Sequence, residues 1–124
     1  MKTVILGAST NPSRYSYIAA EMLDRAGLDF VPVGRRNGVV FGREILNIQD
    51  KPQINDVHTI TLYIGTYNLT EWFDYILGLS PRRIIFNPGT ENMELSKLAR
   101  EKGIEVEFAC TLTMITVGSY QEAI

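Results

Sequence analysis

Val4-Ile5-Leu6-Gly7-Ala8-Ser9-Thr10-Asn11-Pro12-Ser13 is the stretch on which the reading of this chain turns. An apolar run, Val4 to Leu6, enters a turn of small residues, and a helical pattern follows from about Ser16. Gly7 has no Cβ and so permits a sharp turn. The unpaired N–H groups at the start of the next helix favour an anion. Strand, small-residue turn and helix in that order form a phosphate cradle, and the expected ligand is phosphorylated. The plain alternative is a tight strand-to-helix connection that holds nothing, because short motifs of this kind are weakly specific.

Working outward, apolar strand-like runs alternate with helix-like segments, which is the pattern of an α/β protein with a parallel sheet. The first strand is Thr3 to Leu6, and a helix is expected from Ser16 to Arg25, capped by Ser16 and stopped by Gly27. Phe30 to Val33 makes a second strand, in which Pro32 is best tolerated near an end or an edge. Gly34 to Pro52 reads as irregular, with a short strand or turn around Glu44 to Ile48. Val57 to Ile64 is the third major strand, rich in β-branched residues. A helix over Leu69 to Leu79, a strand over Arg83 to Phe86, a helix over Glu91 to Lys102 and a strand over Ile104 to Phe108 follow. The tail, Thr111 to Ile124, has no clear period. The fold expected is one three-layer α/β domain over residues 1–124, with a five-stranded parallel sheet of order 3-2-1-4-5. Ligands in such sheets bind beyond the C-terminal strand ends. The Gly7 turn, the loop after Val33, the segment from Ile64 onward and the turn Asn87-Pro88-Gly89-Thr90 all fall there.

Composition narrows the partners. At 124 residues and 45% hydrophobic content the chain can bury a core without disulfides or metal. A net charge of −2 with both signs interspersed excludes a broad basic surface for nucleic acid. No secretory signal and no apolar run of membrane-spanning length is present, and the single Cys110 has no internal disulfide partner, so a cytoplasmic protein is expected.

The residues also discriminate among nucleotides. The dinucleotide fingerprint Gly-x-Gly-x-x-Gly keeps only its first glycine, Gly7; Ser9 and Pro12 stand near the later ones. Ser9 can donate a hydroxyl and Asn11 an amide, while Pro12 stiffens the turn. An NAD site places an acid at the end of the second strand to bond the ribose diol. Here Val33 is followed by Gly34-Arg35-Arg36. Two guanidiniums suit a phosphate monoester on the ribose, as in NADP or coenzyme A. They also suit a pair of solvated surface charges.

Several stretches together resemble the small stand-alone CoA-binding proteins, which are similar to the CoA-binding domain of the succinyl-CoA synthetase alpha subunit. These are Gly7 to Arg14, Ser16-Tyr17, Val31-Pro32-Val33, Gly42-Arg43-Glu44, Asn87-Pro88-Gly89-Thr90 and Gly103 to Cys110. The resemblance implies a Rossmann-like domain. It implies that Gly7, Ala8, Ser9, Asn11 and Pro12 surround the pyrophosphate, with Ser16 close by. Val33, Gly34 and Ile64 join the site by their place at the strand ends, Arg35 or Arg36 stands at the family's lysine position, and the turn Asn87, Pro88, Gly89 resembles the family's last ligand-side turn, which implies either a contact with the pantetheine arm or part of a subunit contact. Relatives often carry Asn-Pro-Lys after the second strand, where this chain has Gly34-Arg35-Arg36. They often carry prolines after the third, where this chain has Gly65-Thr66-Tyr67-Asn68.

Catalysis has little to stand on. The only histidine, His58, begins the third strand, away from the ligand end, and Cys110 reads as a small buried hydrophobe or as a thiol open to a mixed disulfide with CoA. No residue is assigned a catalytic role and no metal set is present. Three functions follow: a non-catalytic module that binds coenzyme A or an acyl-CoA; an NADP-binding oxidoreductase or redox-responsive regulator; and an interaction subunit whose apolar segment Leu112 to Val117 packs on a second copy in a homodimer.

Overall fold

The computed structural model describes residues 1–122; Ala123 and Ile124, the end of the unassigned tail, lie outside the described residues. The elements are β1 (Lys2–Leu6), α1 (Tyr15–Arg25), β2 (Asp29–Gly34), β3 (Val39–Val40), β4 (Arg43–Glu44), β5 (Leu46–Asn47), β6 (Val57–Leu62), α2 (Phe73–Gly78), β7 (Arg83–Phe86), α3 (Met93–Glu101), β8 (Glu105–Phe108), α4 (Thr111–Thr116) and α5 (Ser119–Glu122). The main sheet has six strands in the order β5-β2-β1-β6-β7-β8, and all its pairings are parallel. A small antiparallel ribbon, β3 with β4, stands apart from it.

The α/β, Rossmann-like architecture holds, but the strand count and order differ from the expected five in the order 3-2-1-4-5. Val57–Leu62 pairs directly with β1, and the edge beyond β2 is taken by the two-residue β5, where Leu46 pairs with Val33. The cause lies in β6 itself. Thr59, Ile60, Thr61 and Leu62 are all fully buried, which requires cover on both faces and neighbours on both sides. A two-residue strand suits the edge, where little backbone is left for another chain to pair with. It covers only Val33 and Gly34, so Pro32 sits where β2 has no outer partner and its missing N–H costs nothing.

Alternation along the strands divides the core in two. Val4, Leu6, Ile60, Leu62, Ile84 and Phe86 face one side and pack with Trp72, Ile76, Leu95 and Ala99 from the α2 and α3 side. Ile5 and Ile85 face the other and pack with Ala20, Leu23, Met114 and Tyr120 from α1, α4 and α5. The buried face of α1 is Ser16, Ala19, Ala20 and Leu23, at helical spacing. Its helix starts at Tyr15 and not at Ser16, and Ser16 lies inside the first turn instead of capping it. Leu69 to Leu79 is not one helix: two 3₁₀ turns, Thr66–Asn68 and Thr70–Trp72, precede α2. Asn92 caps α3, its side-chain oxygen accepting from the Leu95 N–H at 2.9 Å.

Within the tail, Thr111–Thr116 and Ser119–Glu122 are helical, and polar bonds explain why no period marks them. The Thr3 and Tyr120 hydroxyls bond at 2.6 Å and those of Thr61 and Thr111 at 2.7 Å. Arg83 is fully buried; its Nε donates to Thr59 Oγ1 at 2.9 Å and its guanidinium lies over the Tyr120 ring. These bonds hold α4 and α5 on the sheet. Within the segment Leu112 to Val117, Met114 is buried in the core and Val117 is exposed. No helix among the described residues is long and apolar enough to cross a membrane.

The central place of β6 is testable by truncation. Ile60→Ala should lower stability by about 2–5 kcal/mol in urea unfolding, the range for a close-packed aliphatic. A loss under 1 kcal/mol would point to an edge position.

Candidate functional site

The strand order reverses beside β1, and the turns that follow β2, β1 and β6 lie together at the C-terminal strand ends, where such sheets bind their ligands. The floor of this region is made by close backbone contacts. The N–H groups of Gly7 and Ala8 both donate to the Val33 carbonyl, at 2.8 and 2.9 Å. Gly7 has φ +101°, and a Cβ there would lie 2.9 Å from the Tyr63 backbone. A Cβ on Gly34 would lie 2.5 Å from the Ala8 carbonyl oxygen. Both positions therefore need glycine, for different reasons: Gly7 for its turn and for room, Gly34 for room alone.

These bonds alter the part each cradle residue can play. The amides of Gly7 and Ala8 are committed to Val33, so the two residues shape the loop and do not offer donors. Further along, the N–H groups of Ser9, Thr10, Tyr15 and Ser16 have no partner among the described residues. The Asn11 N–H donates to Ser9 Oγ at 3.0 Å, which leaves the Ser9 hydroxyl proton free. Asn11 Oδ1 accepts from the N–H and the hydroxyl of Ser13 at 3.0 and 2.8 Å, which leaves its Nδ2 group free. Pro12 is exposed at the tip, and Ser16 is only 4% exposed. What remains is a rim of unpaired donors around a turn held rigid by its own hydrogen bonds.

Arg35 and Arg36 come immediately after β2, both exposed, and neither joins an ion pair among the described residues. Val33 and Gly34 are buried and form the wall below them. On the other flank, Ile64 packs over Gly7, its Cγ1 3.2 Å from where a Cβ would be.

The Asn87 turn closes the far side. Asn87 is 3% exposed and every polar atom of its side chain is occupied. Nδ2 donates to Thr61 Oγ1 at 2.7 Å and to the Leu62 carbonyl at 2.9 Å; Oδ1 accepts from the Thr111 N–H at 2.8 Å. Asn87 is thus a clamp joining β6, β7 and α4, and any contact with a ligand falls to its neighbours. Pro88 is exposed, and the Gly89 N–H donates to Glu91 Oε1 at 2.8 Å.

Beside the clamp lies a cavity of about 230 Å³ lined by Tyr15, Tyr63, Asn87, Pro88, Cys110 and Leu112. Sequence reasoning missed Tyr15, Tyr63 and Leu112. Tyr63 shares a strand face with Thr61, two positions earlier, and that alternation was the one available signal. A larger and more open depression of about 850 Å³ surrounds Met1, Gln53, Asp56, His58 and Arg82 at the N-terminal edge of the sheet. Its acids and bases are mixed, and it lies at the end of the sheet where such folds do not bind ligands. His58 belongs there, its Nδ1 2.8 Å from Thr59 Oγ1, with partial burial and then Arg83 holding its pKa below the usual value.

The chain is similar to several solved structures. One, of an uncharacterized protein, shares 49% identity over 96% of this chain and 97% of that one, with a TM-score of 0.92. A hypothetical protein from Pyrococcus horikoshii OT3 shares 25% identity over 90% and 78% of the two chains, with a TM-score of 0.75. A protein from Thermus thermophilus shares 23% identity over 96% and 90%, with a TM-score of 0.82. No protein among those with curated functions matches. The family model described as a CoA binding domain matches residues 1–116.

Replacing the clamp tests its structural role. Asn87→Ala leaves the Thr111 N–H and the Leu62 carbonyl without these partners and should cost about 3 kcal/mol in chemical unfolding. An unchanged midpoint would show that the three bonds hold nothing together.

Proposed function

Because the chain belongs to the family of the CoA binding domain, we propose that it binds coenzyme A or an acyl-CoA in the crevice at the C-terminal strand ends, as a binding or regulatory module. One observation carries this reading beyond the family: a rim of unpaired N–H donors lies next to two exposed arginines that have no acidic partner among the described residues. Pyrophosphate needs several donors close together, and the rim supplies them from the backbone of Ser9, Thr10, Tyr15 and Ser16, with Ser9 Oγ and Asn11 Nδ2 beside them. A 3′-phosphate needs cations a short way off, and Arg35 and Arg36 supply those. Gly7, Ala8 and Pro12 keep the loop in shape. Val33, Gly34 and Ile64 form the walls, and Pro88 and Gly89 flank the pantetheine arm.

The arginines alone suit the 2′-phosphate of NADP equally well, so that ligand is the control. Calorimetry should give clear binding of CoA and much weaker binding of NADP. At a CoA concentration one hundredfold above the dissociation constant, the protein should gain about 2.7 kcal/mol of stability. Replacing both Arg35 and Arg36 by Ala should weaken CoA about ten- to a hundredfold, from the loss of charge-assisted bonds. Dephospho-CoA should be nearly unaffected by the same change. Equal losses for the two ligands would remove the phosphate from the arginines, and tighter binding of NADP than of CoA would overturn the reading.

A further inference from the structure

The segment that carries Arg35 and Arg36 is held against the phosphate loop at both of its ends, each time at a glycine. At its start, a Cβ on Gly34 would fall 2.5 Å from the Ala8 carbonyl oxygen. At its end, a Cβ on Gly38 would fall 2.3 Å from Thr10 Cγ2. The Thr10 methyl therefore rests directly on the Gly38 backbone. Only Arg35, Arg36 and Asn37 lie between the two contacts, and all are exposed.

Gly38 is itself firmly placed. It leads into the β3–β4 ribbon, and its carbonyl accepts from the Ile45 N–H at 2.8 Å. The ribbon turns through Phe41 and Gly42, both at positive φ (+48° and +79°), as a tight two-residue hairpin requires. Val40 and Ile45 are buried in the core with Ile5 and Phe30. The Phe41 and Tyr17 rings meet with centroids 5.1 Å apart, and the Arg43 guanidinium lies 3.9 Å over the Phe30 ring. The ribbon is thus packed on α1 and β2. The Thr10 hydroxyl takes no part in the hydrogen bonds of the loop, which run among Ser9, Asn11 and Ser13. Its methyl alone reaches the ribbon.

The chemistry of the ligand makes this spacing matter. The 3′-phosphate and the pyrophosphate of CoA hang from one ribose, a few bonds apart. Both can be held at once only if the amides of Ser9 and Thr10 stand a fixed short way from the arginines. A loose arginine segment would have to be ordered on binding, and that ordering costs affinity.

We propose that Thr10 and Gly38 are positioning residues: contact between the Thr10 methyl and Gly38 sets the spacing of the arginine pair from the pyrophosphate rim, and so sets the preference for a ligand with a phosphate on its ribose. This rests on the CoA reading above. A threonine in a phosphate loop could instead act by donating its hydroxyl to the phosphate, and the two roles give opposite results on substitution.

Calorimetry with CoA and dephospho-CoA separates them. The ratio of the two affinities reports the arginine segment, because contacts at the rim are shared and cancel. Thr10→Ser removes the methyl and keeps the hydroxyl; it should lower the ratio about three- to tenfold, with dephospho-CoA binding as before. Thr10→Val keeps the methyl and removes the hydroxyl; it should hold the ratio. Thr10 is exposed, so neither change threatens the fold. Gly38→Ala drives its new methyl into that of Thr10 and should also lower the ratio. The fall should be smaller in a Thr10→Ala background, where the nearest atom left on residue 10 is Cβ, at 3.7 Å. A ratio unchanged by Thr10→Ser, or lowered by Thr10→Val, overturns the proposal and leaves CoA binding intact. Equal losses for the two ligands in Thr10→Ser reduce the contact to a support of the rim and overturn it too, as does a Gly38→Ala effect of the same size in both backgrounds. If the unaltered protein fails to bind CoA, the CoA reading falls and this one with it.

Discussion

The Val33 carbonyl oxygen accepts hydrogen bonds from both Gly7 and Ala8, and the ligand end of the molecule is organised around that point. The two bonds pin the first turn after β1 to the last residues of β2. They draw the Ala8 carbonyl so close to Gly34 that no side chain fits there. The loop and the two arginines after Gly34 thereby become neighbours in space, although more than twenty residues separate them in sequence. Because the first two loop amides are used internally, the amides without a partner lie further out, at Ser9, Thr10 and the start of α1. A cradle that offered every amide to a ligand would leave the turn unsupported when empty. Here the turn is held by bonds of its own, including the Asn11 side chain, and needs no ligand to keep its form.

A second polar arrangement stabilises the opposite flank. Thr61, Asn87 and Thr111 are all buried, and each is satisfied by the others or by nearby backbone. Such a network is costly when incomplete and rigid when complete. It ties α4 to the strand ends and so makes a wall of residues that begin a short helix, with Cys110 and Leu112 next to the clamp. The same face carries Arg83, whose Nε reaches Thr59 and whose Nη1 reaches the Tyr120 carbonyl at 3.1 Å, holding α5 in place. The face that receives the tail is therefore more polar than the face covered by α2 and α3, where Leu69, Trp72, Phe73 and Ile76 meet only aliphatic and aromatic strand residues.

That contrast explains which elements were legible from the residues. α3 was found within two residues at its start because Asn92 and the spacing of Leu95, Leu98 and Ala99 are local signals. The β-branched run of β6 is a local signal too, but the identity of its neighbours is not. Pairing partners depend on which faces are covered, and no short window contains that. β5 was seen only as a short strand or turn, since two residues carry no period. The helices α4 and α5 went unassigned because Thr111 and Tyr120 dock through hydroxyls, where a hydrophobic pattern gives no mark. Likewise Asn87 stood out as a turn residue, while its three internal bonds depend on strands far away in sequence.

By itself, then, the sequence determined the class of fold, the turn at Gly7 and the adjacent arginines, because strand runs, glycine turns and charge are properties of neighbouring residues. Tertiary structure alone decided the strand order, which loop amides stay free, and the meeting of Tyr63 with Cys110. Each of those depends on atoms brought together from distant segments, and only packing sets their distances.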